Sequence, residues 1–423
     1  MPEEWVMPEG GARRRPAGLR RYLATAFLAR LAEEGMAVAV VMLALHRTGS
    51  AAQGAFVLTA WMAPHVLAAP LVGAVVSRMR RPRLCYAGAL GGFATAIAAL
   101  AVITGRAPTP VTLAVALAGG GCGPVVSGGL STLVAVLAPA GPARDRAYAL
   151  DAAVYNAASV AGPAAVSVLA GLGSPGPAVL LLAGAAAGAA ALVVTLPYGR
   201  TRPAAPAHPP ATLRADLAAG LAVVRRTPEL RAITAATCLA HVGIGALATT
   251  TVLLAQGRGQ PDGGGILMTA FASGALAGAL AVGRWRPPVP VGHLAGIALS
   301  GTGLALAAAA LVPAPAACAA LFVLAGLFDG PLLTATLRIR ADHAPAQLRA
   351  QVFTLGAGLK ISAAACGAAL VGPATALPSP LLLLGIAALQ LAAALLHTLA
   401  QPRPPRGPGA PRAAARGSET AAP

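Results

Sequence analysis

Runs of about 20 apolar residues, the length that carries a helix across roughly 30 Å of hydrocarbon, recur along the whole chain, separated by short polar stretches. They fall into two sets of six. The first set covers Tyr22–Leu45, Ala52–Val76, Leu84–Thr104, Val111–Leu137, Tyr148–Gly171 and Pro177–Pro197. The second covers Leu230–Ala255, Gly263–Gly283, Val291–Val312, Pro315–Leu337, Gln351–Ala374 and Pro380–Ala400. The pattern breaks between the sets. Pro203, Pro206, Pro209 and Pro210 crowd one stretch, and then Leu213, Leu217, Leu221 and Val224 return on one helical face beside Arg214, Arg225 and Arg226. Thr212 stands where a cap belongs, so a short amphipathic helix lying at the membrane surface is expected there. The expected fold is an all-α integral membrane protein of twelve transmembrane helices in two pseudo-symmetric six-helix halves. Residues 1–21 form an N-terminal segment, 22–197 the first half, 198–229 the linker with its interfacial helix, and 230–400 the second half. Residues 401–423, where Pro402, Pro404, Pro405, Pro408 and Pro411 stand among Arg and Ala, read as a disordered tail.

Composition agrees with a lipid environment: 57% of the 423 residues are apolar and 10% are charged, against about 25% charged in an ordinary soluble domain. The formal charge of +18 would by itself suggest nucleic acid, but the placement of the 31 Lys and Arg decides otherwise. Only Arg47, Arg106 and Arg258 fall in loops on one side, and Arg30 and Lys360 fall inside spans; all the others lie in the termini or loops of the opposite side. Basic loops stay cytoplasmic. Both termini are therefore expected in the cytoplasm, in a multi-pass plasma-membrane protein with the lipid bilayer as its surroundings and no nucleic-acid partner. The first run carries Arg30, Glu33 and Glu34, which makes it a poor signal peptide and a retained first span. Cys85, Cys122, Cys238, Cys318 and Cys366 stand singly, so neither a metal site nor a disulfide framework is expected.

The halves echo one another. Gly123-Pro124 in the fourth span corresponds to Gly330-Pro331 in the tenth, and Arg146-Ala147 before the fifth corresponds to Arg349-Ala350 before the eleventh. Internal repeats of this kind mark secondary transporters, whose substrate site lies between the halves near mid-membrane. With six spans, a linker, six spans and a basic loop after the second span, the chain resembles the major facilitator superfamily. That family's loop pattern, Gly-x-x-x-Asp-Arg-x-Gly-Arg-Arg, falls on Gly73 to Pro82: Gly73, Arg78 and Arg81 match, while Ser77, Arg80 and Pro82 depart from it. The resemblance implies a charge network at the cytoplasmic surface, with Asp145 in place to partner Arg78. A second pattern, that of drug exporters in the fifth span, matches at Gly162 and Pro163. Small residues there allow close helix approach and the proline bends the segment. The resemblance so implies an exporter-like member.

Ionisable groups at membrane depth are costly, roughly 2.5 to 3.5 kcal/mol each on insertion scales, and mark functional sites. Arg30, Glu33 and Glu34 have i,i+3 and i,i+4 spacing, so Arg30 is expected to pair with one of the two carboxylates, and its movement would switch their proton affinity. Asp329, directly before Gly330-Pro331, and Lys360, the chain's single lysine, are expected to oppose them as a pair in the second half. His65 and His241 lie near mid-depth and are candidates for proton handling, histidine being the side chain type suited to it near neutral pH. Trp61, Tyr155 and Asn156 are candidates to line a cavity. Asp151 reads as a residue of the cytoplasmic end of the fifth span. No phosphate loop, HExxH or nucleophile-base spacing occurs, so no enzyme activity and no cofactor or metal are expected. The expected function is secondary transport by alternating access, as a monomer, most plainly proton-coupled export of a small, partly apolar molecule. The altered loop at Ser77, Arg80 and Pro82 leaves a non-transporting membrane scaffold as the alternative.

Overall fold

The computed structural model describes residues 15–65, 82–139, 142–197, 213–260, 263–285, 289–345 and 348–401. Among these residues all regular structure is helical. In the first half, α1 is Arg15–Thr48, α2 Ala51–Met62, α3 Pro82–Ile103, α4 Thr109–Gly120, α5 Val134–Leu137, α6 Pro142–Gly171 and α7 Pro175–Val193. The linker contributes α8, Leu213–Arg226, and the second half α9 Pro228–Gly257, α10 Gly264–Trp285, α11 Val291–Leu311, α12 Pro315–His343, α13 Arg349–Ala374 and α14 Ser379–Ala400. Proline at the first turn starts α4, α7, α9, α12 and α14, where its missing N–H costs nothing.

Among the described residues, 9 helices are long and apolar enough to cross a membrane. The three other expected spans have specific reasons to fall short of that measure. Along α1 the charges Arg20, Arg21, Arg30, Glu33 and Glu34 lower its hydropathy. Residues 66–81, which follow α2, lie outside the described residues. The fourth span, expected as one run over Val111–Leu137, is interrupted. After α4 ends at Gly120, the chain passes through a π turn at Val125–Gly129 and a 3₁₀ turn at Leu130–Leu133 before α5. Gly119, Gly120 and Gly121 weaken the helix, and Pro124 supplies no N–H to continue it. Pro331, preceded by a single glycine, sits inside the unbroken α12, so the repeated Gly-Pro acts differently in the two halves.

Backbone-to-backbone contact through glycine holds neighbouring helices together, as expected where lipid removes most of the hydrophobic drive between them. Gly274 and Gly278 of α10 interleave with Gly326 and Gly330 of α12. A Cβ on any of the four would fall on a carbonyl oxygen of the facing helix, at Val323, Leu327, Phe271 or Ala275 respectively. Gly245 meets Ala364 and Gly367 meets Val242 in the same way between α9 and α13.

The two halves also share a capping device. Arg47, in the last turn of α1, donates from Nη1 to the carbonyl of Thr104 (3.0 Å) just past the end of α3. Arg258, after α9, donates from Nη2 to the carbonyl of Ala309 (3.0 Å) near the end of α11. A cation on the last carbonyls of a helix complements its dipole. Two of the basic residues on the less basic side thus occupy equivalent structural positions.

Contacts between the halves gather at this same end. Phe56 of α2 packs on Gly372 of α13, and Gly265 of α10 lies against Pro163 and Ser167 of α6. Ala248, Val252 and Ala368 of the second half are buried within the core of the first. At the other end, α8 packs its Val224 into the core of the second half beside Leu230 and Ile339. The described contacts between the halves thus hold them together at the Arg47 and Arg258 end.

Candidate functional site

Within little more than one turn, α1 sends three charged side chains to three different neighbours. Successive residues rotate by about 100°, so Arg30, Glu33 and Glu34 leave the helix in distinct directions. At this level α1 and α6 touch through glycine: a Cβ on Gly162 would stand 2.7 Å from the nitrogen of Gly35 and 3.1 Å from the carbonyl oxygen of Leu31. The Gly162-Pro163 pair thus fixes how closely α6 approaches the charged turn.

Arg30 is 1% exposed and points into α6. Its Nη1 donates to the Asp151 carboxylate (2.8 Å) and to the Asp151 carbonyl (2.9 Å), while Nη2 donates to the second carboxylate oxygen (3.2 Å) and to Ser131 (2.9 Å). Tyr22 and Ser131 each donate to the same carboxylate at 2.7 Å. The guanidinium also lies 5.4 Å from the centre of the Tyr155 ring. The expected pairing of Arg30 with Glu33 or Glu34 is not formed. A fork-to-fork pair with Asp151 on another helix satisfies more donors than a strained reach along its own helix.

Glu33 turns instead toward α2, where its carboxylate lies 3.2 Å from Nε2 of His65. Gly123 makes the room: a side chain there would collide with the imidazole, which lies against the interrupted stretch after α4. Tyr86 steadies that stretch by donating to the carbonyl of Gly129 (3.0 Å). The outer atoms of the pair, Glu33 Oε2 and His65 Nδ1, are enclosed and have no hydrogen-bond partner.

Glu34 takes the third direction. It faces Glu33, Tyr155, Lys360 and Arg30 and is half-buried in mid-helix. Tyr155 connects the two sites, with its ring under Arg30 and its hydroxyl at Glu34.

Across from Glu34, the second half presents Lys360 on α13, Asp329 on α12 and His241 on α9, each half-buried. Lys360 faces Asp329, Arg340 and Glu34, yet forms no ion pair among the described residues. Asp329 and Lys360 therefore share one space without the direct pairing expected of them. The Nδ1 of His241 is engaged by the carbonyl of Thr237 (2.8 Å) on its own helix.

Arg340 is a residue the charge partition misplaces. Counted with a cytoplasmic loop, it sits in the last turn of α12 and is 4% exposed, packed on Gly356 of α13. Asp151, Ser131 and Tyr22 were also outside the expected site; the one signal available was an acid within a span whose partner had to be another intramembrane charge. Gly73, Arg78 and Arg81 lie outside the described residues. Asp145 falls in the first turn of α6, and its side chain lies outside the described set as well.

The arrangement brings Glu33 and Glu34, with the Arg30–Asp151 pair behind them, from the first half toward Lys360, Asp329 and His241 of the second. Sequence comparison places this geometry in a known family, whose profile matches residues 22–288. The chain belongs to the Major Facilitator Superfamily. Among relatives of the superfamily, it is 28% identical over 372 residues to the uncharacterised MFS-type transporter y4rN of Sinorhizobium fredii, covering 84% of this chain and 88% of that one. Solved structures of similar fold include the nucleoside transporter NupG, with a TM-score of 0.73, 13% identity and coverage of 90% and 98%. The human organic anion transporter MFSD10 gives a TM-score of 0.64 and 18% identity, covering 92% of this chain and all of the other. A bacterial homologue of the lysosomal transporter Spinster, in an inward-facing form, gives 0.66 and 14%, over 92% and 98%. The likeness to these structures is one of fold. The chain is a multi-pass membrane transporter of this superfamily.

Proposed function

We propose that this transporter exports a small, partly apolar molecule in exchange for protons, with Glu34 as the carboxylate that carries the proton. The observation that carries this reading is the position of Glu34, half-buried on α1 at the seam between the halves, facing Tyr155, Arg30 and Glu33 of its own half and Lys360 of the other. A carboxylate whose neighbours belong to both halves changes surroundings when the halves rock, and proton affinity follows surroundings. Arg30 acts on it through Tyr155 rather than by direct pairing. Glu33 and His65 supply a second proton-holding pair on the α2 side. The protein works as a monomer in the plasma membrane with both termini in the cytoplasm, which places α8 on the inner side and the Arg47 and Arg258 end outward.

Everted membrane vesicles with an acidic interior test the exchange, with ethidium as a partly apolar reporter. Wild type accumulates it under the pH gradient. The Glu33→Gln/Glu34→Gln variant binds it and equilibrates it without accumulation. If that variant still accumulates ethidium when driven by the pH gradient alone, the carboxylates are structural.

A further inference from the structure

Two cations of the second half form no ion pair among the described residues. The Nε and Nη2 atoms of Arg340 are enclosed and have no hydrogen-bond partner, in a side chain that is 4% exposed. Lys360 forms no ion pair among the described residues. A buried guanidinium without acceptors is more costly than an unpaired neutral group, and keeping one calls for a partner that arrives from elsewhere.

The two cations are neighbours. The guanidinium of Arg340 rests on Gly356, where any side chain would displace it. Gly356 precedes Lys360 by four residues, one turn or about 6 Å along the same face of α13. The surrounding groups come from three other helices. From α9, Cys238 faces Arg340 and His241 faces both cations; from α12 comes Asp329, and from α1 comes Glu34. Asp329 offsets one of the two positive charges, which leaves the pair matched to a monoanion.

We propose that Lys360 and Arg340 form an oxyanion site that takes the carboxylate of an amphoteric substrate, whose basic nitrogen meets Glu34 across the interior. This rests on the transport reading above and names the substrate class for it. A guanidinium matches a carboxylate with two parallel donors, and the flexible lysine adds a point charge beside it. Arg340 stands in the last turn of α12, and Lys360 lies one turn further along α13 from the glycine that Arg340 rests on, so the two cations can act on one anion together. At the far end, a basic nitrogen on Glu34 takes the place of the proton, so occupancy by substrate and by proton exclude one another.

The single lysine provides the assay. N-hydroxysuccinimidyl acetate acylates Lys360 and the N-terminal amine, and mass spectrometry of the Lys360 peptide gives its rate in the purified full-length protein, with no gradient present. The probe is 4-(dimethylaminomethyl)benzoate, whose tertiary amine the reagent leaves intact, compared with the corresponding benzamide. The carboxylate should slow acylation of Lys360 about tenfold at saturation while the amide leaves it unchanged. In Arg340→Gln the concentration giving half protection should rise about tenfold or more, the size expected for a lost bond to a charged group. Equal protection by acid and amide, protection by neither, or an unchanged concentration in Arg340→Gln overturns the site. The acid-against-amide comparison in the unmutated protein stands whether or not the variant folds. Protection of Lys360 together with accumulation indifferent to the pH gradient overturns the exchange reading alone. Gradient-driven accumulation with Lys360 unprotected overturns the oxyanion site alone.

Discussion

Removing Asp151 tests the claim that the buried pair with Arg30 holds α1 to α6. Its carboxylate accepts bonds of 2.7 Å from Tyr22, 2.8 and 3.2 Å from Arg30 and 2.7 Å from Ser131. Bonds to a charged group contribute roughly 1.5–3 kcal/mol each, but their sum overstates the effect because both ions are desolvated in the fold. The dominant loss is the stranded partner: Arg30 is 1% exposed, and an uncompensated buried charge costs about 3–5 kcal/mol. Asp151→Ala should lose that amount. Arg30→Met should lose about 3 kcal/mol, the lower end of the range, because Tyr22 and Ser131 still donate to the remaining carboxylate. The double variant Arg30→Met/Asp151→Ala strands no charge and should be destabilised by less than the sum of the two single variants. Reversible unfolding in mixed micelles, followed by tryptophan fluorescence over an SDS titration, gives all four stabilities. A loss under about 1 kcal/mol for Asp151→Ala, or a double variant equal to the sum of the singles, would refute the reasoning.

Gly330→Ala should destabilise by about 1–3 kcal/mol, because its Cβ meets the carbonyl of Ala275 and stands 2.6 Å from the nitrogen of Ala279, backbone that cannot yield without parting α10 from α12. Gly385→Ala, whose Cβ meets nothing within 4 Å, should instead be neutral or gain up to about 1 kcal/mol, and the same unfolding titration compares the two. Cysteines placed at Arg47 or Arg258 of a cysteine-free background should react with an impermeant maleimide in intact cells, and those at Arg81 or Arg286 should not. Reaction at the latter pair would reverse the orientation.

Span positions are legible in the sequence because hydropathy needs only a window of composition. The eleventh helix of the two-half scheme was expected at Gln351–Ala374 and α13 runs Arg349–Ala374; the twelfth was expected at Pro380–Ala400 and α14 runs Ser379–Ala400. The interruption after Gly120 was not legible, since Gly-Pro also occurs in the unbroken α12; what differs is the three consecutive glycines ahead of it. Charge partners were the least accessible part. Spacing along α1 favoured Glu33 or Glu34 for Arg30, whereas the partner lies 121 residues away and depends on how α6 is rotated about its axis. Arg340 was lost for a similar reason. A basic residue near the end of an apolar run reads as loop, and only the packing against Gly356 reveals that it is enclosed.

The most direct test of proton exchange at Glu34 is proton movement itself. Proteoliposomes loaded with the pH indicator pyranine, holding the transporter and an acidic interior, are given 4-(dimethylaminomethyl)benzoate or ethidium from outside. The account predicts that at least one of them dissipates the gradient through the wild-type protein as it enters, and that Glu34→Gln moves no protons under the same conditions. Substrate entry with an undisturbed pyranine signal in the wild type, or the same proton flux through Glu34→Gln, would contradict it.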